Sequence, residues 1–380
     1  MIDFEFTEEQ RALVDAAKRF AKERIIPVAP EADKKSEFPR DVFAEAWKLG
    51  LANPTLPVEY GGPGLSDLDS VLVTEELAYG CSGIQTSITA NTLGLTPIKL
   101  AGSEEQKKKY FGWLMSEPTF VSYATTEPGA GSDVAGMQCR AVKQADGSYV
   151  LNGTKAWITN ANLASFYVIF ATENPELRHK GIGAFIVHRD QKGVSVGKHE
   201  DKLGQRASDT AQVMLDGVHV PAAQVLAPPG HGFKVAMETF NQTRPDIGGI
   251  ACGIMRHCLD ECVAYAKERK TFGTAIANHQ LVQAMIAEMA IRYNATRLLV
   301  HKAAWSLDKG IRDPLTSSCA KAFGADAAMQ SATDAVQVFG GNGYVKEYPV
   351  EKLMRDAKIL QIYEGTAQVQ RIVIAKQLFS

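Results

Sequence analysis

Val282, Met285, Met289, Tyr293 and Val300 recur at steps of three, four and seven residues. That periodicity predicts one helix of some 27 residues, Leu281 to Leu307, a length that belongs in a long-helix bundle. The whole segment from about residue 225 to 380 reads helical.

The chain ahead of it changes character twice. Residues 1–118 also read helical. Thr7-Glu8-Glu9-Gln10 is a capping-box pattern opening a helix with Leu13, Val14, Ala17 and Phe20 on one face, and Pro27 and Pro30 are expected to end it. A second helix is predicted near Pro39 to Leu49. Further helical patterns run over Leu68 to Ala78, Gln85 to Ala101 and Glu104 to Leu114, and Pro54 to Leu65 reads as a loop. Residues 119–224 carry short strand-like runs instead: Phe120 to Ala124, Tyr149 to Ile158, Phe166 to Phe170, Ile182 to His188 and Ala211 to Val220. Asp146-Gly147 and Asn152-Gly153 supply turn signals between them. That spacing predicts an antiparallel sandwich or barrel. The fold class is therefore α+β, mostly α, in the order helix, sheet, helix over 1–118, 119–224 and 225–380.

At 380 residues the chain exceeds the size at which one core stops growing, so two or three subdomains are expected. A net charge of -2 gives no reason to expect nucleic acid or an anionic membrane as partner. No stretch approaches the roughly 18 apolar residues of a membrane span. The acidic start, Met1 to Phe6, reads as neither secretory signal nor transit peptide. The six cysteines form no CxxC pair and read as free thiols in a reducing cytosol. No HExxH or His/Cys cluster has zinc spacing, so no metal is expected.

Four motifs can carry chemistry. Thr126-Glu127-Pro128-Gly129-Ala130-Gly131-Ser132-Asp133 follows the first predicted strand. It reads equally as a glycine-rich turn and as an anion nest, and its third glycine is misplaced for a dinucleotide fingerprint. Arg269-Lys270-Thr271-Phe272-Gly273 could hold a pyrophosphate or simply end a helix with cations. Gln337-Val338-Phe339-Gly340-Gly341-Asn342-Gly343-Tyr344 has three glycines where a helix stop needs one. In Tyr363-Glu364-Gly365-Thr366, Glu364 reads as a partly buried base or as a capping residue.

In this order the four motifs resemble the acyl-CoA dehydrogenases, over essentially the whole chain. Glu75 to Cys81 and Glu347 to Lys358 look closest to the medium-chain branch. The resemblance implies an N-terminal helical domain, a middle β domain and a C-terminal four-helix bundle, assembled as a homotetramer. It implies FAD as cofactor, acyl-CoA as substrate and electron-transfer flavoprotein as electron acceptor. It also implies a bacterial cytoplasm, or a mitochondrial matrix once a transit peptide is removed. By the same resemblance Glu364 abstracts the α-proton while flavin N5 takes the β-hydride. Tyr123, Thr126, Ser132, Trp157, Thr159, Thr366 and Gln368 hold FAD, and Arg269, Thr271, Gln337 and Gly341 reach the FAD of a neighbouring subunit. Ser132, Asn241, Thr243, Arg244 and Gly365 lie on the acyl-CoA side.

Four places depart from the medium-chain pattern: Thr89, Asn241-Gln242, Asp246 and Asn160-Ala161-Asn162. They bear on the acyl group accepted. A branched, cyclic or aromatic acyl-CoA is the alternative substrate, and a non-catalytic flavin-bound scaffold the alternative from another class. An oxidase is disfavoured because the large oxidases carry an extra C-terminal domain.

Overall fold

The computed structural model describes residues 5–379. The reading of the acidic start as no leader falls mainly on residues 1–4, which lie outside the described residues. Five helices come first: α1 (Glu8–Phe20), α2 (Ala29–Lys35), α3 (Arg40–Lys48), α4 (Asp67–Ala101) and α5 (Glu104–Ser116). Capping boxes open α1, α4 and α5, where Thr7, Ser66 and Ser103 each accept from the third residue of the helix. Pro30 does not end a helix. It sits in the first turn of α2, where its missing N–H costs nothing. The helices expected over Leu68 to Ala78 and Gln85 to Ala101 are two arms of α4, joined at Cys81, whose backbone is extended (φ −168°, ψ 115°).

Eight strands follow: β1 (Val121–Ala124), β2 (Arg140–Lys143), β3 (Tyr149–Thr159), β4 (Phe166–Thr172), β5 (Ile182–His188), β6 (Val194–Val196), β7 (Thr210–Val220) and β8 (Val225–Ala227). They form one sheet in the order β6-β7-β3-β2-β4-β5-β8, with β1 on β4. Most ladders are antiparallel, as the short alternating runs suggest. β1 runs parallel to β4, from Val121 opposite Phe166 to Ala124 opposite Ile169, and β2 touches β4 in the same sense. The sheet is therefore mixed, not purely antiparallel. The β2–β3 hairpin lies between β1 and β4 in sequence and supplies the long crossover that parallel pairing needs. Every residue of β4 is buried, which is why it reads as a continuous apolar run.

The remaining chain is α6 (Gly232–Glu268), a small hairpin of β9 (Lys270–Thr271) and β10 (Thr274–Ala275), α7 (Gln280–Asp308), α8 (Pro314–Phe339), α9 (Val350–Lys358) and α10 (Ala367–Leu378). Helix α6 continues through Pro245. It crosses α4 closely because its contact residues are glycines. A Cβ at Gly253 would lie 2.5 Å from Glu75 O and 2.7 Å from Tyr79 N. Buried ion pairs lock the same crossing. Arg256 donates to both oxygens of Glu76 (2.6 and 2.7 Å), and Glu75 accepts from Tyr293 (2.7 Å) and Arg297 (3.0 Å) on α7. Among the described residues no helix is long and apolar enough to cross a membrane, and no cluster of His, Cys, Asp or Glu is arranged for a metal.

The α4–α6 crossing yields a stability prediction. Gly253→Ala should cost about 2 kcal/mol by overpacking against backbone that has nowhere to move. On α5 the space around Gly112 is open, so Gly112→Ala should gain about 0.5 to 1 kcal/mol from helix propensity. Denaturant or thermal unfolding of the two variants checks both signs.

Candidate active site

Glu364 and Gly365 both have positive φ (+56° and +84°) and reverse the chain into α10. Glycine adopts this conformation freely. A glutamate there is strained and persists only where its surroundings hold it. Here Gln370 Nε2 donates to Glu364 O (3.0 Å) and Gly365 O (3.1 Å), and Lys321 Nζ on α8 donates to Gly365 O (2.6 Å). Thr366 caps α10 by accepting from Val369 N (3.1 Å). The Glu364 N–H makes no hydrogen bond among the described residues.

The Glu364 carboxylate is only partly exposed. Burial pushes its pKa up to about 7, against a hydrogen bond from Thr243 and the charges of Arg244 and Lys321, which pull it down. Thr243 Oγ1 lies 2.8 Å from Glu364 Oε2 and 3.2 Å from Thr239 O. Its single proton serves one acceptor at a time, so the hydroxyl can stabilise the carboxylate or release it. Lys321 is wholly buried, and burial brings its pKa down to about 8. Arg244 donates to Asn241 Oδ1 (2.7 Å) and Ser318 Oγ (3.3 Å), while its buried Nε finds no partner among the described residues. Asp246 lies one turn beyond Thr243 on α6. Its carboxyl accepts from Ser70 Oγ (3.2 Å), and burial and then the charge of Asp67 push its pKa up to about 8, with a smaller push from Glu364.

One side chain of the sheet, Tyr123, approaches this cluster. The Tyr123 ring meets Phe240 of α6 edge-on at 5.5 Å, and the Glu364 charge adds to the burial that raises the Tyr123 pKa. The buried hydroxyls of Tyr123 and Thr125 make no hydrogen bond to any other part of the described chain. Ala156 N donates to Thr126 O (2.9 Å), which sets the 125–130 loop beside β3. A bulge between Lys155 and Ile158 puts Trp157 at φ +60°, with 61% of its surface exposed. Thr159 O accepts from Ser122 Oγ (2.7 Å). A Cβ added at Gly129 or Gly131 would meet nothing within 4 Å beyond its chain neighbours. An open glycine loop, an exposed indole and spare hydroxyls fit a flat aromatic cofactor with a phosphate tail.

The structure thus groups Asn241, Thr243 and Arg244 of α6 with Glu364, Gly365 and Thr366 of the turn before α10, and packs Tyr123 against Phe240 on the same side, while Thr126, Trp157 and Thr159 lie along the sheet and its loop. Ser132 and Gln368 are exposed nearby in sequence but bond to neither group. Arg269, Thr271, Gln337 and Gly341 gather elsewhere, at the far ends of α6 and α8. There Tyr265 stacks on Phe339 (4.0 Å) and accepts from Asn342 (2.8 Å), and Thr271 Oγ1 pairs with His279 Nε2 (3.0 Å). Among the described residues none of these four is bonded to Glu364 or to the sheet surface. Sequence reasoning missed Lys321 and Gln370. A lone lysine among the small residues of Ser317 to Ala328 was the available signal for the first.

Lys321 carries a testable electrostatic role. Lys321→Met removes a charge that lowers the Glu364 pKa, so the carboxyl should ionise above about 7. Carbon-13 NMR of the glutamate carboxyl across a pH series reads the midpoint. An unchanged midpoint removes Lys321 from the site.

Comparison with known proteins fits this geometry. The acyl-CoA dehydrogenase N-terminal domain profile matches residues 7–117, the middle domain 122–218 and the C-terminal domain 230–379. A probable medium-chain specific acyl-CoA dehydrogenase of Caenorhabditis briggsae, described as mitochondrial, is 45% identical over 380 residues, 99% of this chain and 92% of its own. A solved chain described under the electron transferring flavoprotein of Acidaminococcus fermentans and flavin-based electron bifurcation superposes with a TM-score of 0.96 at 40% identity, covering 99% of both chains. Butyryl-CoA dehydrogenase from Megasphaera elsdenii superposes with a TM-score of 0.97 at 36% identity over the whole of both chains. With three domain profiles in register and full-length relatives at these identities, the chain belongs to the acyl-CoA dehydrogenase family.

Proposed function

We propose that the chain oxidises a short- to medium-chain fatty acyl-CoA to its trans-2-enoyl-CoA, with Glu364 removing the α-proton. The observation that carries this reading is the Glu364 carboxylate itself, partly accessible, desolvated to a pKa of about 7, and held by Thr243. A thioester α-proton is weakly acidic, so the base must be strong near neutrality and the developing enolate oxygen needs donors. The spare Glu364 N–H supplies one such donor. Asn241, Arg244 and Ser132 would hold the CoA portion. When bound, FAD supplies the acceptor for the β-hydride. Tyr123, Thr126, Ser132, Trp157, Thr159, Thr366 and Gln368 would hold FAD from one subunit. Arg269, Thr271, Gln337 and Gly341, remote from that surface, would serve a neighbour's site in a homotetramer. The three domains are 1–118, 119–224 and 225–380. Electrons would pass to electron-transfer flavoprotein, in a bacterial cytoplasm or mitochondrial matrix.

One observation favours a second reading of the acyl group. Asp246 places a carboxyl one helical turn from Thr243, coupled to Glu364, where a purely aliphatic chain would leave it buried without a new partner. A polar acyl group, or a cyclic one bearing a polar atom that can hydrogen-bond to the Asp246 carboxyl, would fit better than octanoyl. Asp246→Val should then raise kcat/KM for straight chains by about 10-fold, the scale of one recovered polar desolvation. A panel of acyl-CoAs checks it, and a wild-type optimum at straight octanoyl-CoA overturns the second reading.

The reaction itself is tested by anaerobic titration with acyl-CoAs, following flavin absorbance near 450 nm. The wild type should bleach. Glu364→Gln should bind without bleaching and lose about 10³-fold or more in turnover. For the wild type kcat/KM should rise with pH through a midpoint near 7, because the free base must be ionised. If no acyl-CoA bleaches the flavin, the catalytic reading fails and a flavin-bound scaffold replaces it.

A further inference from the structure

Lys155 and Glu127 form a buried charged pair that the proton-transfer step above leaves unused. Lys155 on β3 has a fully buried side chain, and that of Glu127 is 6% exposed. Their separation is 2.7 Å. Removing both charges from water is costly, and apolar side chains of that volume would pack as well or better. What an ion pair adds here is direction. Lys155 Nζ also donates to Thr125 O (3.1 Å). Glu127 Oε1 accepts from Cys139 N (3.0 Å) and Oε2 from Gln138 N (2.6 Å). Four hydrogen bonds thus pin the 125–130 loop, the chain entering β2 and the bulged part of β3 to one point.

The residues on either side of that point are partly exposed Thr126 and exposed Trp157. Thr126 lies between Thr125 and Glu127, and its carbonyl is tied to Ala156 N (2.9 Å). Trp157 follows two residues after Lys155, left-handed and exposed. Nothing in its own preferences keeps an exposed indole in that conformation, so the constraint must come from beneath.

We propose that the Lys155–Glu127 ion pair is a positioning element of the cofactor cleft, fixing Thr126 and Trp157 in the relative placement that FAD requires. The proposal rests on the FAD reading above. Neither residue touches the cofactor. They act through the backbone they hold, as orienting partners do behind metal ligands.

The test uses full-length chain carrying Lys155→Met, Glu127→Gln, or both. Three quantities are read: the FAD dissociation constant, the visible circular dichroism of bound flavin, and the thermal midpoint without FAD. Each single variant should bind FAD about 10-fold or more weakly, the usual scale for losing an orienting partner, with an altered flavin dichroism. The double variant, with no unpaired buried charge, should recover much of the thermal midpoint yet still bind FAD weakly. If the double variant binds FAD like the wild type with an unchanged spectrum, the pair is a structural staple and the proposal is overturned. Failure of the double variant to fold assigns the pair to sheet stability and overturns it too. If the wild type itself takes up no FAD, the cofactor reading falls first and the positioning role falls with it.

Discussion

The surroundings of Glu364 turn on one conflict. Its carboxyl is withdrawn from water far enough to bring its pKa up to about 7, yet it is not neutralised altogether. Burial alone would push Glu364 too far toward the protonated form. The hydroxyl of Thr243 and the charges of Arg244 and Lys321 pull it back. These groups come from two helices and the carboxyl from a third element. Thr243 and Arg244 come from α6, Lys321 from the middle of α8, and the backbone of Glu364 from a strained turn before α10. The poise of one carboxyl therefore depends on how three helices pack.

That packing is set by small residues and buried charge. Gly253 lets α6 approach α4 to backbone contact, and Arg256 and Arg297 satisfy Glu75 and Glu76 inside the same seam. A seam made that way has little slack, because neither a backbone carbonyl nor a buried ion pair tolerates a shift without loss of a partner. On the sheet side the same principle recurs on a smaller scale around Lys155. Helix face and sheet face are each braced by a buried ion pair.

Elements with strong local signals were legible in the sequence. The stripe from Val282 to Val300 gave α7 to within a residue at either end, and the apolar run from Ile182 to His188 is β5 itself. Pairing was not legible. The alternation in Phe120 to Ala124 marks a strand but holds no information about a parallel partner some 45 residues away. Pro30 was misread because proline ends one helix and opens another with equal ease. The two arms of α4 are buried all round and show no stripe to reveal where they bend. Glu364 was singled out through the family resemblance, whereas its left-handed backbone and its buried lysine were not foreseen. A side chain 43 positions away on another helix announces itself only as a charge in an apolar stretch.

The α4–α6 crossing also orders events during synthesis. Helix α4 is buried on nearly every side, and its main partner is encoded about 165 residues later. At about 5 to 20 residues per second, the ribosome leaves the first helices exposed on the order of ten seconds before α6 can cover them. The N-terminal third therefore cannot reach its final state alone. A chain cut short before α6 would leave that face uncovered and the carboxylates of Glu75 and Glu76 without Arg256, so the growing polypeptide is a natural client for holding chaperones until its second half arrives.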